Sequence, residues 1–379
     1  MKFTIEKREL SALTTMVHRA ASNKNTIPVL SGLYLQLDNE KGLTITATDM
    51  EIGIKASSSN VEVLEEGSVL VNANYFADFI KLLPDTLISV ELNNETSKLN
   101  ISYGRSSGNI NIYREQEYPD LPINKMEYRF SLPQDVLKEA LKKTGFAAAT
   151  NHFRQVFTGI LFDILEDNVL KIVASDTHRM AYYKYTIEDD HIEPFNFVIP
   201  IRTVNELLRF LDDTKEKINI ALSPNNVIFY KDDFILLSRL IEGQYPNYEQ
   251  VIPGNLVTSA NMLTHTLATS LERAKIMPTD DKFKIQHVQF SFEGEEAKLN
   301  TYSEIMGDIS EVIEDVEIEG DKEIKIAFNT NYFLDAIKIF DQECEKVHIS
   351  LSGSLGPAII QNPDKDNYLY VLVPLRTGN

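Results

Sequence analysis

Ser175, Asp176 and His178 bring together, within four residues, the nucleophile, acid and base types of a charge-relay hydrolase. In such a triad the three side chains converge on one point. Here they follow one another along VLKIVASDTHRMA, whose alternation predicts a strand, and neighbouring side chains of a strand point to opposite faces. No Gly-x-Ser-x-Gly elbow occurs, so hydrolysis is not expected. Gly353-Ser354-Leu355-Gly356-Pro357 lacks the glycine spacing and the following Lys-Ser/Thr of a phosphate-cradling loop, and reads as a hairpin turn. Asp315, Glu317, Glu319 and Gly320 imitate the start of a calcium loop, but its closing bidentate Glu would fall on Ile326. The seven His residues include no H-x-x-x-H pair, and a single Cys344 excludes an internal disulfide and any multi-cysteine metal site. Cys344 is read as a half-buried thiol. No catalytic residue, metal or cofactor is expected.

Charge points elsewhere. The 379 residues carry 37 Lys and Arg against 56 Asp and Glu, a formal net charge of -19, which excludes a coat protein for nucleic acid. The acid is unevenly spread: six predicted helices (7–21, 74–85, 133–143, 200–211, 262–275 and 331–343) together carry +2. If they lined one surface, a phosphate backbone could approach it while the rest repelled stray nucleic acid. The helical preference of Lys and Arg explains the same count equally well. Lys7, Arg19, Lys24, Lys142, Lys143, Arg202, Arg209, Arg273 and Lys275 are the candidate cations. The amino terminus, MKFTIEKREL, has no apolar run of signal-peptide length. The longest charge-free stretch, Gln250 to Leu271, carries Pro253, Gly254, Asn255 and Asn261 and is no membrane span. A cytoplasmic protein is the expectation.

The elements that carry these residues repeat. FTIEKRELSALTTMV, RFSLPQDVLKEALKK and LVTSANMLTHTLATSL each read as a short strand feeding an amphipathic helix, and Phe3, Phe130 and Val257 are spaced by 127 and 127. Three hairpins follow, LYLQLDNEKGLTITATD, ILFDILEDNVLKIVASD and VQFSFEGEEAKLNTYSE, ending on Asp49, Asp176 and Glu304, spaced by 127 and 128. A strand and second helix recur as VLVNANYFADFIKLL, FVIPIRTVNELLRFL and KIAFNTNYFLDAIKIF. Tyr118-Pro119-Asp120 returns as Tyr245-Pro246-Asn247 after 127 residues. The expectation is an α+β chain of three similar domains, 1–125, 126–253 and 254–379, each with two helices packed on antiparallel sheet. The apolar end, YVLVPLR, reads either as a groove wall or as a final edge strand of the third domain.

The repeat, together with IPVLSGLYLQ, TATDMEI, FTGILFD, VASDTHRMA, EGQYPNYEQVIP and YVLVPLR, resembles the bacterial sliding clamp family, the β subunits of DNA polymerase III, over the whole chain. The resemblance implies a ring-shaped head-to-tail homodimer of two three-domain (DNA clamp) chains that encircles duplex DNA without sequence preference and confers processivity. It implies a non-catalytic accessory subunit, tethering the polymerase III catalytic subunit, the clamp loader, other polymerases, mismatch-repair proteins and ligase by short peptides, with no membrane partner. A chain that binds peptides without encircling DNA is the alternative reading.

Position by position, the resemblance implies a hydrophobic peptide pocket of Phe157, Ser175, Thr177, His178, Arg179, Met180, Pro246, Val251, Val371, Val373, Pro374, Leu375 and Arg376. It implies DNA-facing Lys24, Thr150, Asn151, Arg154 and Arg202, and a dimer seam of Ile276 and Met277 against Arg105 to Ile110. Thr177 stands where the family often has glycine, Gln250 where a basic residue often lies, and Thr377-Gly378-Asn379 runs past the usual end.

Overall fold

Helices begin where the repeat places them: α1 (Lys7–Val17), α2 (Ala73–Leu82), α3 (Gln134–Gly145), α4 (Ile201–Phe210), α5 (Thr264–Ala274) and α6 (Thr330–Phe340). The computed structural model describes residues 1–22, 27–113, 117–123, 127–188, 192–278, 285–293 and 296–376. Lys24 and the extension 377–379 lie outside them.

The orphan amides at the helix starts are satisfied in two ways. Asn72 Oδ1 accepts from Tyr75 N–H at 3.0 Å, and Asn329 Oδ1 accepts from Asn331 N–H at 2.9 Å, so α2 and α6 have side-chain caps. At α1, α3 and α5 the first amide donates to a backbone carbonyl instead: Lys7 to Thr86 at 3.1 Å, Gln134 to Glu216 at 3.0 Å and Thr264 to Glu345 at 2.9 Å. Each of these helices is thereby pinned to the loop that follows the second helix of its own repeat. The apolar spacing then fixes the buried face, as with Leu10, Leu13 and Val17 in α1 and Phe333, Leu334, Ile337 and Phe340 in α6.

The described residues fall into two compact units. Unit 1 comprises residues 1–137 and 205–240, and unit 2 comprises 138–204 and 241–379. The central repeat is divided between them because its strands continue its neighbours' sheets. In unit 1 an eight-stranded antiparallel sheet joins Phe234–Arg239 to Ile52–Ser58, with Leu236 opposite Ile54 and Ser238 opposite Ile52. A five-stranded sheet ends at the edge strand Ser106–Asn111. In unit 2 a nine-stranded sheet joins Arg179–Thr186 to Tyr368–Leu372, with Met180 opposite Val371. A four-stranded sheet ends at the edge strand Gly307–Ile313.

The pairing corrects one expectation. Tyr368–Leu372 is no edge strand; it lies fifth of nine, between Arg179–Thr186 and Ala358–Gln361, and Tyr370, Val371 and Leu372 are buried. An apolar carboxy terminus is explained by a strand with neighbours on both sides. Beyond the strand the segment from Val373 onward reaches the surface, held by Val373 N–H to the His178 carbonyl at 2.9 Å and Leu375 N–H to the Ala327 carbonyl at 2.7 Å.

Candidate functional site

The strand predicted through Ser175, Asp176 and His178 stops at Ser175, and a tight turn leads to Arg179. Asp176 Oδ1 accepts from the His178 and Arg179 amides, both at 3.0 Å, and Ser175 Oγ donates to the Arg179 carbonyl at 2.8 Å. These polar atoms are thus engaged in closing the turn, and His178 is exposed away from them. Thr177 sits at φ +75°, a left-handed conformation that costs a β-branched residue and explains why glycine suits the position.

Arg179 fastens the turn to the last repeat. Its guanidinium is buried, with Nε on Asp176 Oδ2 at 3.0 Å, Nη1 on Asp335 Oδ2 at 2.8 Å and Nη2 on the Phe146 carbonyl at 2.6 Å. It stacks 4.1 Å from the centroid of Tyr332. Burial works against the cation, but Tyr370, Asp335 and Asp176 outweigh it and hold the guanidinium above its ordinary range.

Around this turn lies an open cavity of about 170 Å3 lined mainly by Phe157, Thr177, Met180, Val371 and Val373, with Ser175, Arg179, Pro246 and Val251 completing the residues anticipated from sequence. Its base is rigid: Met180 and Val371 are fully buried and paired across the sheet. Its rim is open, with Val251 42% exposed. Tyr245, Asn247 and Tyr248 also line it and were not anticipated. Tyr245 packs edge-on against Phe157 at 5.7 Å, and burial raises its hydroxyl above the tyrosine range despite the neighbouring Ser175 backbone. Tyr248 donates to Asp163 Oδ2 at 2.6 Å and lies 6.2 Å from Tyr182; burial, then Asp163, raises its hydroxyl. Behind Tyr248, Lys171 is paired with Glu249 and lies 5.6 Å from the Tyr182 ring. The recurrence of Tyr-Pro-Asp as Tyr-Pro-Asn is the sequence signal that could have found Tyr245 and Asn247. His178, Pro374, Leu375 and Arg376 lie next to the lining residues in sequence but do not line the cavity.

A cavity with an apolar base, aromatic walls and hydroxyls at its edge suits an extended peptide with one or two apolar anchors. It offers no arrangement of nucleophile and base, and among the described residues no group of His, Cys, Asp and Glu could hold a metal ion.

The remaining candidates are scattered. Thr150, Asn151 and Arg154 are exposed on the loop after α3, where Phe153 is 84% exposed and stacks on His152 at 4.6 Å. Arg202 is exposed in the first turn of α4. Lys143 is withdrawn from the surface cations: it is buried, with Nζ 2.5 Å from Glu139 and 2.6 Å from Glu343. Arg273 is held by Glu311 at 2.6 Å. At the expected seam, Ile276 is 79% exposed and Arg105 is exposed, whereas Met277 and Ile110 are buried in their own units. Beside the edge strand, α2 carries an apolar face formed by Tyr75, Phe79 and Leu82, the last 84% exposed. Phe79 lies over Gly108 of the edge strand, where an added Cβ would come within 2.7 Å of its ring. Among the described residues no helix is long and apolar enough to cross a membrane.

Comparison with known proteins accounts for the repeat. The models of the N-terminal, central and C-terminal domains of the DNA polymerase III beta subunit match residues 1–122, 131–247 and 249–376. The beta sliding clamp of Halalkalibacterium halodurans is 32% identical over 386 residues, covering 100% of each chain, and that of Bacillus subtilis is 29% identical over 385 residues. The crystal structure of the Bacillus subtilis DNA polymerase sliding clamp matches with a TM-score of 0.92 at 28% identity over 100% of both chains. The DNA polymerase III beta subunit of Thermotoga maritima matches with 0.89 at 27%, again over 100% of both. Three successive family domains spanning the chain in order establish that it belongs to the DNA polymerase III β-subunit family, the sliding clamps of DNA replication.

Proposed function

We propose that two copies close head to tail around duplex DNA and that the cavity beside Met180 and Val371 tethers the replicative polymerase and other partners by their short apolar peptides. As a sliding clamp the protein holds DNA by topology, which needs no tight contacts; a net charge of -19 with near-neutral helices fits a ring that slides. The three-domain division 1–125, 126–253 and 254–379 is part of this reading, each domain contributing two helices. So are a non-catalytic role and residence in the cytoplasm.

The seam is best supported by the two edge strands. Ser106–Asn111 and Gly307–Ile313 each leave a row of backbone groups unpaired, a liability that a partner copy removes. Ile276 and the Tyr75, Phe79 and Leu82 face supply the apolar surface beside those edges. A head-to-tail contact of this kind closes after two copies when the rotation allows. Toward DNA, the exposed Thr150, Asn151 and Arg154 loop and Arg202 are the contacts, with Lys24 carried by resemblance alone.

The observation that carries peptide capture is the open cavity with a buried Met180 and Val371 base. Fluorescence anisotropy of a labelled Gln-Leu-Ser-Leu-Phe peptide tests it, using the whole chain and a chain ending at Leu372. Ending there spares the core strand and removes Val373, so the expected result is saturable binding weakened at least tenfold by the truncation. Undiminished binding would move the site elsewhere.

A further inference from the structure

The 127-residue repeat maps the turn beside the cavity onto a second turn in unit 1. Asp49 Oδ1 accepts from the Glu51 and Ile52 amides at 3.0 and 2.9 Å, as Asp176 does from His178 and Arg179. Met50 has φ +76°, matching Thr177 at +75°. Arg239 N–H donates to the Glu51 carbonyl at 2.8 Å, as Val373 N–H does to His178. Tyr118 stands for Tyr245, its hydroxyl accepting from Thr48 N–H at 2.8 Å and raised by burial. By the same register Gly53 replaces Met180 and lies opposite Leu237, as Met180 lies opposite Val371.

The two sites differ in what fills them. In unit 2 the residue three after Tyr245 is Tyr248, held by its hydrogen bond to Asp163. In unit 1 the residue three after Tyr118 is Leu121, and its Cδ2 reaches within 2.5 Å of the point where a Cβ on Gly53 would stand. Leu121 and Ile123 pack on Ala221, Ile228 and Leu237, and Ile123 N–H donates to the Leu121 carbonyl at 2.8 Å, closing a tight turn that presents both side chains to that cluster. Gly53 makes the room, and the chain's own leucine takes it.

We infer that unit 1 carries a second copy of the peptide groove kept shut by its own chain, with Leu121 in the place of an incoming apolar anchor and residues 119–123 acting as a strap. The inference rests on the peptide reading of the unit 2 cavity. It explains why the turn at Asp176 borders an open cavity while the matching turn at Asp49 is filled by Leu121, and it makes the strap the element that sets how many partners a chain takes. The ligand class is the same, an extended peptide with apolar anchors.

Isothermal titration with a Gln-Leu-Ser-Leu-Phe peptide counts the sites. The intact chain is expected to take one peptide and Leu121→Ala two. In a Met180→Glu background, which closes the unit 2 groove, the intact strap should leave none and Leu121→Ala one. Adding Gly53→Leu to the Leu121→Ala chain should refill the space and remove the extra site. Circular dichroism checks the fold, and Leu121→Val gives the same comparison at smaller amplitude if the alanine chain melts early. One peptide on Leu121→Ala, with none after Met180→Glu is added, would overturn the inference while leaving the unit 2 reading intact. An intact chain that takes no peptide would overturn both.

Discussion

Replacing Arg179 with Met removes the guanidinium from the middle of unit 2 while keeping an apolar stem of similar reach. Three hydrogen bonds disappear, to Asp176 at 3.0 Å, Asp335 at 2.8 Å and the Phe146 carbonyl at 2.6 Å, together with the Tyr332 stack. Breaking a buried pair typically costs about 3 to 5 kcal/mol. Two features place this case at the low end. Asp335 is 42% exposed and turns to water, and Asp176 keeps the two amides of its turn. The expected loss is about 3 kcal/mol, roughly a hundredfold in the opening equilibrium at about 1.4 kcal/mol per tenfold. Two units need not unfold together, so global denaturation blurs the number. Hydrogen exchange of the amides in Arg179–Thr186 and Tyr368–Leu372 reads it locally. Arg179→Lys retains a charge for one carboxylate but lacks the planar fork that reaches Phe146 as well, so it should fall between the two. Exchange accelerated less than tenfold by Met, with Lys indistinguishable from wild type, would refute the claim that Arg179 fastens the turn to the last repeat.

Thr177→Gly relieves a left-handed β-branched residue at φ +75° and should stabilise unit 2 by about 0.5 to 1 kcal/mol after glycine's own entropy cost, read as a higher urea midpoint; a lower midpoint would contradict it. Tyr248→Phe removes the 2.6 Å bond to Asp163 and should cost about 1 to 2 kcal/mol while weakening peptide binding, both checked by thermal melts and anisotropy. Ile276→Asp and Leu82→Asp should each yield a 43.0 kDa species in sedimentation, and an intact dimer in either would exclude that residue from the seam. Burial lowers His348, so the folded state prefers the neutral ring. Its contribution is present above the ordinary histidine value of 6.5 and is lost as pH falls below it through the depressed folded value, a dependence that should vanish in His348→Asn melts.

Helix positions were legible because apolar spacing by three and four is a local signal, and it survives in the buried faces of α1 and α6. The pairing of Arg179–Thr186 with Tyr368–Leu372 has no local signal, since strands about 190 residues apart are chosen by packing rather than by their own sequence. That is why an edge strand stood as one of two readings of the apolar end. Lys143 read as a surface cation because its helix is amphipathic, but its ammonium is enclosed by Glu139, Glu343 and the rings of Tyr183 and Tyr368, which only the fold assembles. The cavity residues were legible through the family resemblance rather than through local pattern, and the repeat adds to them. Tyr245 was within reach, since Tyr118 recurs as Tyr245 at the same spacing as the strands, whereas Tyr248 has Leu121 as its counterpart and carries no repeat signal. The substitution of Gly53 for Met180 carried the further information, visible only once both turns were superposed by register.

Retention on closed DNA tests most directly whether the chain works as a ring. Protein placed by a clamp loader on a nicked circular plasmid should co-elute with it through gel filtration at a salt concentration that strips ordinary phosphate contacts, because topology does not respond to screening. A single double-strand cut should then release it as it slides off the ends. Equal retention on circular and linear DNA, or release from the intact circle by salt alone, would contradict encirclement.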